Sequence, residues 1–463
     1  MRYTLTFWEH YYEKLTAHLF SSGNRLERAA FLLCGIATTT RETRLIVREV
    51  IIVPDADLLE QSEQHLSISA NSFIPIMKRA NQQKTSLVFV HSHPIGIPAH
   101  SPQDDLEEKP LFGTAYNRID VPSAVHGSLV LSDPEMPRGR VWLDGGRTEP
   151  IDLVRVIGRR FQFYPRQGLD HSIETSFHDR EVRAFGPDIL PLLRGLTVGV
   201  VGAGGTGSSV IEQLIRLGVG RLIVADGQKL DSSNVSRGYG SQVDDVGVLK
   251  TNLVARLVER IGLKTNVETI DKPITYASAM KRFRECDVIF GCTDDFWGRS
   301  LLCRFCIEYC IPIVDLGTQI KSKNGVISAI PGRITTLSPG KACLFCRGQI
   351  TPEDVAQQIL EELSPEEAVR QRREGYIPEL PDAEPAVIAF TTATAAFGVA
   401  ELLHYLTGFK GTDYDISEVI IRFDETAIRT PGARQSPNCF CANSSLIGRG
   451  DHARFLDQTW RPE

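Results

Sequence analysis

The sequence carries no excess of positive charge: 51 Lys and Arg stand against 57 Asp and Glu, giving a net charge of −6 and a pI near 6.0. A surface that tracks nucleic acid or an anionic membrane needs the opposite balance, so neither is an expected partner. An apolar run able to span a bilayer is also missing. The longest, residues 386–406, is broken by Thr391, Thr392, Thr394, Glu401 and His404 and is expected as a core helix. Residues 1–20 mix charges with aromatics and hold no secretory signal pattern, which makes the cytoplasm the expected compartment. In a reducing compartment the ten cysteines are expected as thiols or metal ligands, not disulfides. A chain of 463 residues exceeds one small core and implies two or three domains.

What is present is organised around residues 196–226, LTVGVVGAGGTGSSVIEQLIRLGVGRLIVAD. An apolar run at 198–201 fits a buried parallel strand, Gly202, Gly204, Gly205 and Gly207 follow, and a helix-period segment begins at Ser208. Glycines here let the backbone turn tightly and approach a phosphate, which the free N–H groups and positive dipole end of the helix then hold. A second apolar strand, 221–225, ends in Asp226, where a ribose hydroxyl would sit. A tight turn in any α/β domain can carry such glycines; strand, helix and terminal acid in register favour a nucleotide.

Upstream, strands are expected at 31–33, 45–53 and 87–90, with 61–66 as a polar connection. The strand at 87–90 runs directly into His91, Ser92 and His93. Residues two apart on a strand share a face, so the two imidazoles can sit side by side. Asp104, after a loop made by Pro98, Ser101 and Pro102, can return a carboxylate to the same ion. His91, His93 and Asp104 leave a fourth zinc position for water, the arrangement of a catalytic site. A bare H-x-H also suits two exposed strand-end histidines, and the longer string HSHPIGIPAHSPQDD favours the metal.

That string resembles the JAB/MPN metalloprotease motif, H-x-H followed after seven residues by S-x-x-D, which His91, His93, Ser101 and Asp104 match without a gap. The resemblance implies a catalytic zinc on His91, His93 and Asp104, with Ser101 stabilising the oxyanion of the tetrahedral intermediate. It also implies cleavage of peptide or isopeptide bonds after the C-terminus of ubiquitin-like proteins, and a glutamate base on an earlier element. Glu27, in LERAAFLLCG, fills that place, with Glu42 and Glu49 as fallbacks and His100 and His126 at the surface or behind the ligands.

Past Asp226, GQKLDSSNVSRGYG brings Asp231, Asn234 and Arg237, and Lys250 stands near the start of the next helix. Arg237 and Lys250 can neutralise phosphate charge and Asn234 can hydrogen-bond it. A strand at 287–291 leads to Asp294 and Asp295, and a carboxylate at that end can hold magnesium. Together these groups favour ATP over NAD. This half resembles the ubiquitin-activating superfamily, including the ThiF/MoeB-type adenylyltransferases, through GAGGTGS at 202–208, Asp226, SNVSR at 233–237, DVGVLK at 245–250 and CTDDFWGR at 292–299. Such enzymes attack the α-phosphate of ATP with the C-terminal glycine carboxylate of a ubiquitin-like protein. The resemblance assigns Asp226 to the ribose, Asn234, Arg237 and Lys250 to the phosphates, and Asp294 to magnesium. REVRAFG at 180–186 looks like the family's R-Q-x-x-x-F-G segment, whose arginine reaches the partner subunit's ATP, so Arg180 implies a homodimer; Gly238 stands where the family has glutamine.

Cys343 and Cys346 form C-x-x-C, and Cys439 and Cys441 form C-x-C. Four thiolates from two close pairs fit a closed structural zinc, free thiols being the alternative, and the resemblance implies the same site with a longer second pair. Many relatives pass the activated protein to their own cysteine downstream of the first pair, yet between Cys346 and Cys439 there is none. Residues 361–374 are expected as a charged helix and 377–385 as a Pro-rich crossover. The acceptor is then an external thiol, on a conjugating enzyme or sulfur donor, or another cysteine of the chain. Cys303, Cys306 and Cys310 share a helix face expected in the core, and Cys292 is expected to pack near the nucleotide. The expected fold class is α/β: a mixed α/β JAB/MPN domain over 1–149, a connection over 150–176, and a Rossmann-like ATP-binding adenylation domain with a mostly parallel sheet over 177–463. The expected function joins activation and cleavage of one ubiquitin-like protein, in a bacterial conjugation system or, alternatively, in sulfur-carrier biosynthesis.

Overall fold

The computed structural model describes every residue except 22–24, 64, 97, 122–123, 324, 375–376, 378–384 and 412; the expected crossover at 377–385 lies almost wholly outside the described residues. The chain divides into two compact units. The first comprises Met1–Leu169, Glu308–Cys310 and Ser445–Ala453, and the second Asp170–Ile307, Ile311–Ser444 and Arg454–Glu463.

In the first unit the elements run β1 (Arg2–Trp8), α1 (Glu9–Leu19), β2 (Ala29–Thr38), β3 (Glu42–Ile52), β4 (Leu58–Gln61), β5 (Leu66–Ile68), α2 (Ala70–Gln83), β6 (Ser86–Ser92), α3 (Pro102–Arg118), β7 (His126–Leu131), β8 (Pro137–Trp142), β9 (Thr148–Ile157) and β10 (Phe161–Pro165). The large sheet has the order β1-β3-β2-β6-β7-β8-β9-β10, and β1 also pairs in parallel with β9, which closes the sheet into a barrel. Alternation along β2 explains how one strand serves two cores. Ala30, Leu32 and Cys34 pack in one cluster with Tyr12, Leu15 and Leu19 of α1; Ala29, Phe31 and Leu33 pack in another with Ile76 and Met77 of α2 and Phe112 of α3. One expectation is refined and one changes here. Gln61 and Leu66 are paired, so the polar connection expected at 61–66 joins the two strands of a β4–β5 hairpin. The first unit continues to Leu169, because β9 crosses residue 149 and β10 pairs back onto it, so 150–165 is sheet and not linker.

The second unit contains α4 (Asp179–Phe185), α5 (Ile189–Gly195), β11 (Thr197–Val201), α6 (Gly205–Arg216), β12 (Arg221–Ala225), α7 (Lys250–Ile261), β13 (Asn266–Ile270), α8 (Ala277–Arg282), β14 (Val288–Gly291), α9 (Phe296–Tyr309), β15 (Ile313–Thr318), β16 (Lys321–Lys323), β17 (Val326–Ala329), β18 (Pro331–Leu337), α10 (Pro352–Leu363), α11 (Pro365–Arg373), α12 (Ile388–Thr407), β19 (Glu418–Arg422) and β20 (Ala427–Arg429). Its sheet order is β13-β12-β11-β14-β15-β18-β19-β20. The first five strands are parallel and the last three antiparallel. The parallel part reverses its strand order between β11 and β14, the place where open α/β sheets bind ligands. The segment expected as one charged helix at 361–374 is broken at Pro365 into α10 and α11. Among the described residues no helix is long and apolar enough to cross a membrane.

Candidate functional site

β6 ends at Ser92, so it delivers His91 while paired on both sides, by β2 and β7, and His93 follows directly. Both histidines are buried. Asp104 arrives from the first turn of α3. Ser101 is the N-cap of that helix: its Oγ accepts from Asp104 N at 3.2 Å, and Ser101 N donates to Asp104 Oδ2 at 2.5 Å, a capping box that fixes the carboxylate. The two Nε2 atoms stand 3.0 Å apart, His91 Nε2 is 3.1 Å from Asp104 Oδ1, and His93 Nε2 is 3.6 Å from Asp104 Oδ2. Nitrogen and oxygen ligands on a tetrahedral zinc lie about 3.3 Å from one another, so the donor set fits that ion. Burial opposes ionisation of Asp104, but its hydrogen bonds to His91 and Ser101 hold it well below the ordinary carboxylate range.

Glu27 precedes β2 and is buried, with Oε1 3.7 Å from His93 Nε2. Burial pushes its carboxyl up to about 7, against the pull of His91 and with the push of Asp104. Its backbone is held from both sides by the hairpin, Glu27 N donating to Ser62 O and Gln61 Nε2 donating to Glu27 O. The fallback carboxylates are elsewhere. Glu42 pairs with Arg44 and Arg155 in the barrel, and Glu49 with Arg79 at 2.8 Å. Of the two places expected for His126, at the surface or behind the ligands, burial excludes the first: it is fully buried in β7, and its Nδ1 accepts from Leu87 N.

In the second unit β11 leads through Gly202, whose φ of +89° suits glycine, to Gly204 and the start of α6 at Gly205. A Cβ on Gly202 would meet Cys292 O at 2.7 Å, and one on Gly207 would meet Gly202 O at 1.9 Å, so the turn closes on itself and on the end of β14. At Gly204 a Cβ would meet nothing within 4 Å: this is the open side. Asp226 is buried and braces the turn, accepting from Ala203 N at 2.7 Å and from Gln228 N at 2.8 Å. Gln228 Oε1 in turn accepts from Lys250 Nζ at 2.7 Å, which joins the first residue of α7 to the strand-end acid.

Arg237 is brought over the start of α6, its Cδ lying 3.2 Å from where a Gly205 Cβ would stand. Tyr239 N, donating to Ser208 Oγ, ties the same segment to that helix. Asn234 ends a short turn capped by Asp231. Asp294 is exposed beyond β14, whereas Asp295 points back and accepts from Thr293 and Gly298 N at the start of α9. Arg180 is exposed on α4 and has no hydrogen bond to these groups among the described residues. Gln228 and Tyr239 were not picked out from sequence, since their roles depend on contacts with Lys250 and Ser208.

The four cysteines converge. Cys343 Sγ is 3.8 Å from Cys346 Sγ and 3.5 Å from Cys439 Sγ, and Cys346 Sγ is 3.6 Å from Cys441 Sγ. Thiolates on a tetrahedral zinc stand about 3.8 Å apart, so this set fits as well. Cys303 and Cys306 are buried on α9, and Cys310 follows it, also buried, with φ of +50°. Cys292 is half-buried against the glycine turn.

Comparison with known proteins adds the lineage. The chain is 32% identical over 168 residues to the SAMP-activating enzyme E1 of Haloferax volcanii, covering 36% of this chain and 59% of that protein. It is 27% identical over 270 residues to the ubiquitin-like modifier-activating enzyme 5 of Caenorhabditis elegans, covering 56% and 57%. The chain thus spans under two thirds of these curated relatives. Among solved structures it is similar to E. coli MccB with ATP, at 18% identity and a TM-score of 0.44 over 58% of this chain and 74% of that one. The description of the ThiF family matches residues 178–442, more than half of the sequence, and the chain belongs to the ThiF family.

Proposed function

We propose that the chain is a bifunctional enzyme acting on a ubiquitin-like protein with a C-terminal glycine. Residues 177–463 adenylate that glycine with magnesium ATP, and the N-terminal part, about 1–149 with the strands that complete its barrel, is a JAB/MPN-type zinc peptidase that matures or removes the same protein. The observation that carries the adenylation reading is the bonded series Ala203–Asp226–Gln228–Lys250, which ties the phosphate turn, the ribose acid and a cation into one unit. The substrate carboxylate attacks the α-phosphate and pyrophosphate leaves. Arg237 and Lys250 hold the phosphates with Asn234, Gly202, Gly204, Gly205 and Gly207 admit them, Asp294 holds magnesium, and Arg180 serves the partner subunit's site in a homodimer.

For the peptidase, the convergence of His91, His93 and Asp104 supports a zinc site. Zinc there would supply a bound water with a pKa near neutrality. Glu27, with Oε1 3.7 Å from His93 Nε2, is placed to take a proton from such a water and to return it to the leaving amine. Ser101 accepts the Asp104 N–H with its oxygen and so keeps its own hydrogen to donate to the oxyanion. Cys343, Cys346, Cys439 and Cys441 hold a structural zinc. The cysteine-free interval after Cys346 favours a second reading of the product's fate, transfer to an external thiol or sulfur donor in the cytoplasm.

Incubation with candidate ubiquitin-like proteins and radiolabelled pyrophosphate tests the core of this. ATP–pyrophosphate exchange that depends on the terminal glycine and vanishes in Lys250→Ala is expected; exchange unaffected by that substitution defeats the adenylation assignment. Zinc-dependent cleavage of a C-terminally extended substrate is expected to disappear in His93→Ala, and full retention defeats the peptidase assignment.

A further inference from the structure

Asp104 and Glu108 are four residues apart on α3 and therefore share a face, one turn from each other. Asp104 turns to the histidines. Glu108, 1% exposed, turns to β7 and β8: its Oε2 accepts from Ser128 Oγ at 2.6 Å, Arg140 Nε at 2.9 Å, Arg140 Nη2 at 2.7 Å and Trp142 Nε1 at 2.8 Å. β7 is the parallel neighbour of β6, with Val130 opposite His91. One carboxylate oxygen thus fastens the helix that brings Asp104 to the sheet that brings the histidines. The other end of the same helical turn is fastened too. Ser128 gives its hydrogen to Glu108, so the 3.0 Å contact between its Oγ and His100 Nε2 has the histidine as donor, and His100 immediately precedes the cap residue Ser101.

We propose that Glu108 is a positioning residue for the zinc ligand Asp104: through Ser128, Arg140 and Trp142 it sets the rotation and depth of α3 and so aims the Asp104 carboxylate at the His91–His93 pair. The inference rests on reading those three residues as zinc ligands. Burying a carboxylate is costly unless donors meet it; Glu108 Oε1 is buried without a hydrogen bond, so the four donors on Oε2 carry that compensation and fix the helix more closely than apolar packing would. A ligand set needs that fixity. Partners of this kind typically govern metal affinity by about 10- to 100-fold.

The test uses the full-length chain, stripped of metal and titrated with zinc against a competing chelator, and with cobalt as a spectroscopic probe. Subtracting His93→Ala isolates this site from the cysteine cluster, whose thiolate charge-transfer bands mark it separately. Glu108→Ala is expected to weaken zinc at this site by about 10- to 100-fold and to shift the cobalt ligand-field bands, with Glu108→Gln between it and wild type. Ser128→Ala, which removes the links from Ser128 to both Glu108 and His100 but leaves Arg140 and Trp142 on Glu108, is expected to weaken zinc by about threefold or more and serves if Glu108→Ala does not fold. Glu49→Gln, whose carboxylate pairs with Arg79 away from the histidines, is the reference for a carboxylate substitution in the same unit. A purely structural Glu108 would lower the melting temperature while leaving zinc affinity per folded molecule and the cobalt bands as in wild type, and that result overturns the proposal. A wild-type chain that binds zinc only at the cysteines is a different failure, that of the zinc reading itself.

Discussion

Replacing Gly207 by alanine sets two effects against each other. Gly207 is the third residue of α6, and on helix propensity alone a Gly→Ala change there stabilises by about 0.5–1 kcal/mol. Sterics oppose it: the new methyl would sit 1.9 Å from Gly202 O and 2.8 Å from Gly202 C, against 3.4 Å for an ordinary contact. The turn and helix must part by about 1.5 Å, and both contacts are backbone, so no side chain can swing away. Overpacking of this sort costs about 1–3 kcal/mol, which outweighs the propensity gain. The larger consequence is geometric, since an error of about 1 Å in a binding constellation costs on the order of 10²-fold.

Isothermal titration of the full chain with magnesium ATP is therefore expected to show affinity reduced by about 100-fold or more in Gly207→Ala, with a lowered melting temperature. Gly204→Ala is the matched control. Its methyl meets nothing within 4 Å in the protein and its φ of −73° is open to any residue, so the fold keeps its melting temperature and only the ligand is crowded. A Gly207→Ala chain that melts like wild type and binds ATP within about threefold would refute the reasoning that the turn is closed on itself.

Three further outcomes are expected. Lys250→Ala removes a cation already held by Gln228, and loss of one charge-assisted contact to phosphate, about 1.5–3 kcal/mol, lowers magnesium ATP affinity by about 10- to 100-fold in the same titration. Metal analysis of the purified chain should find two zinc ions, falling to one in His93→Ala and to one in Cys441→Ser; loss of both in either variant would mean that the sites are not independent. Glu42→Gln should cost about 3–5 kcal/mol in urea unfolding, because Arg155 and Arg44 would lose their buried carboxylate. Those charges, with the Thr4 hydroxyl, overcome burial and hold the Glu42 carboxyl far below its unfolded value of about 4.3, so the difference from wild type is full above that pH and shrinks as pH falls below it. A difference that is the same at pH 3 and pH 7 would contradict this.

The parts of the fold that were legible in the sequence are those in which neighbours along the chain are neighbours in space. The strand, glycine turn and helix of β11 and α6, the start of α7 at Lys250 and the helix at 388–407 lie where local periodicity and turn chemistry put them. His91 and His93 are two apart on one strand end, and Ser101 and Asp104 form a capping box over four residues, so the cluster was visible as spacing. What escaped depends on distant pairs. Residues 151–164 mix basic and apolar side chains, and only pairing with β1 and β8 makes β9 a strand, with β10 folded back onto it. Glu108 carried one local clue, its place four residues after Asp104, but its meaning comes from Ser128, Arg140 and Trp142 on other strands.

Barrel closure has a kinetic consequence. Thr4 pairs with Leu153, so the bond that completes the wall joins residues that emerge far apart during synthesis. Contacts of such long sequence separation form late and slowly. Until β9 arrives, β1 and β8 each present an unsatisfied edge, the hallmark of a chain open to wrong pairing with other strands. Afterwards β1 is paired on both sides, by β3 and β9, and β8 is joined to β9 through Arg140, Val141 and Trp142. The interval between those two states leaves both edges open to other strands, and it ends when β9 docks on β1 and β8.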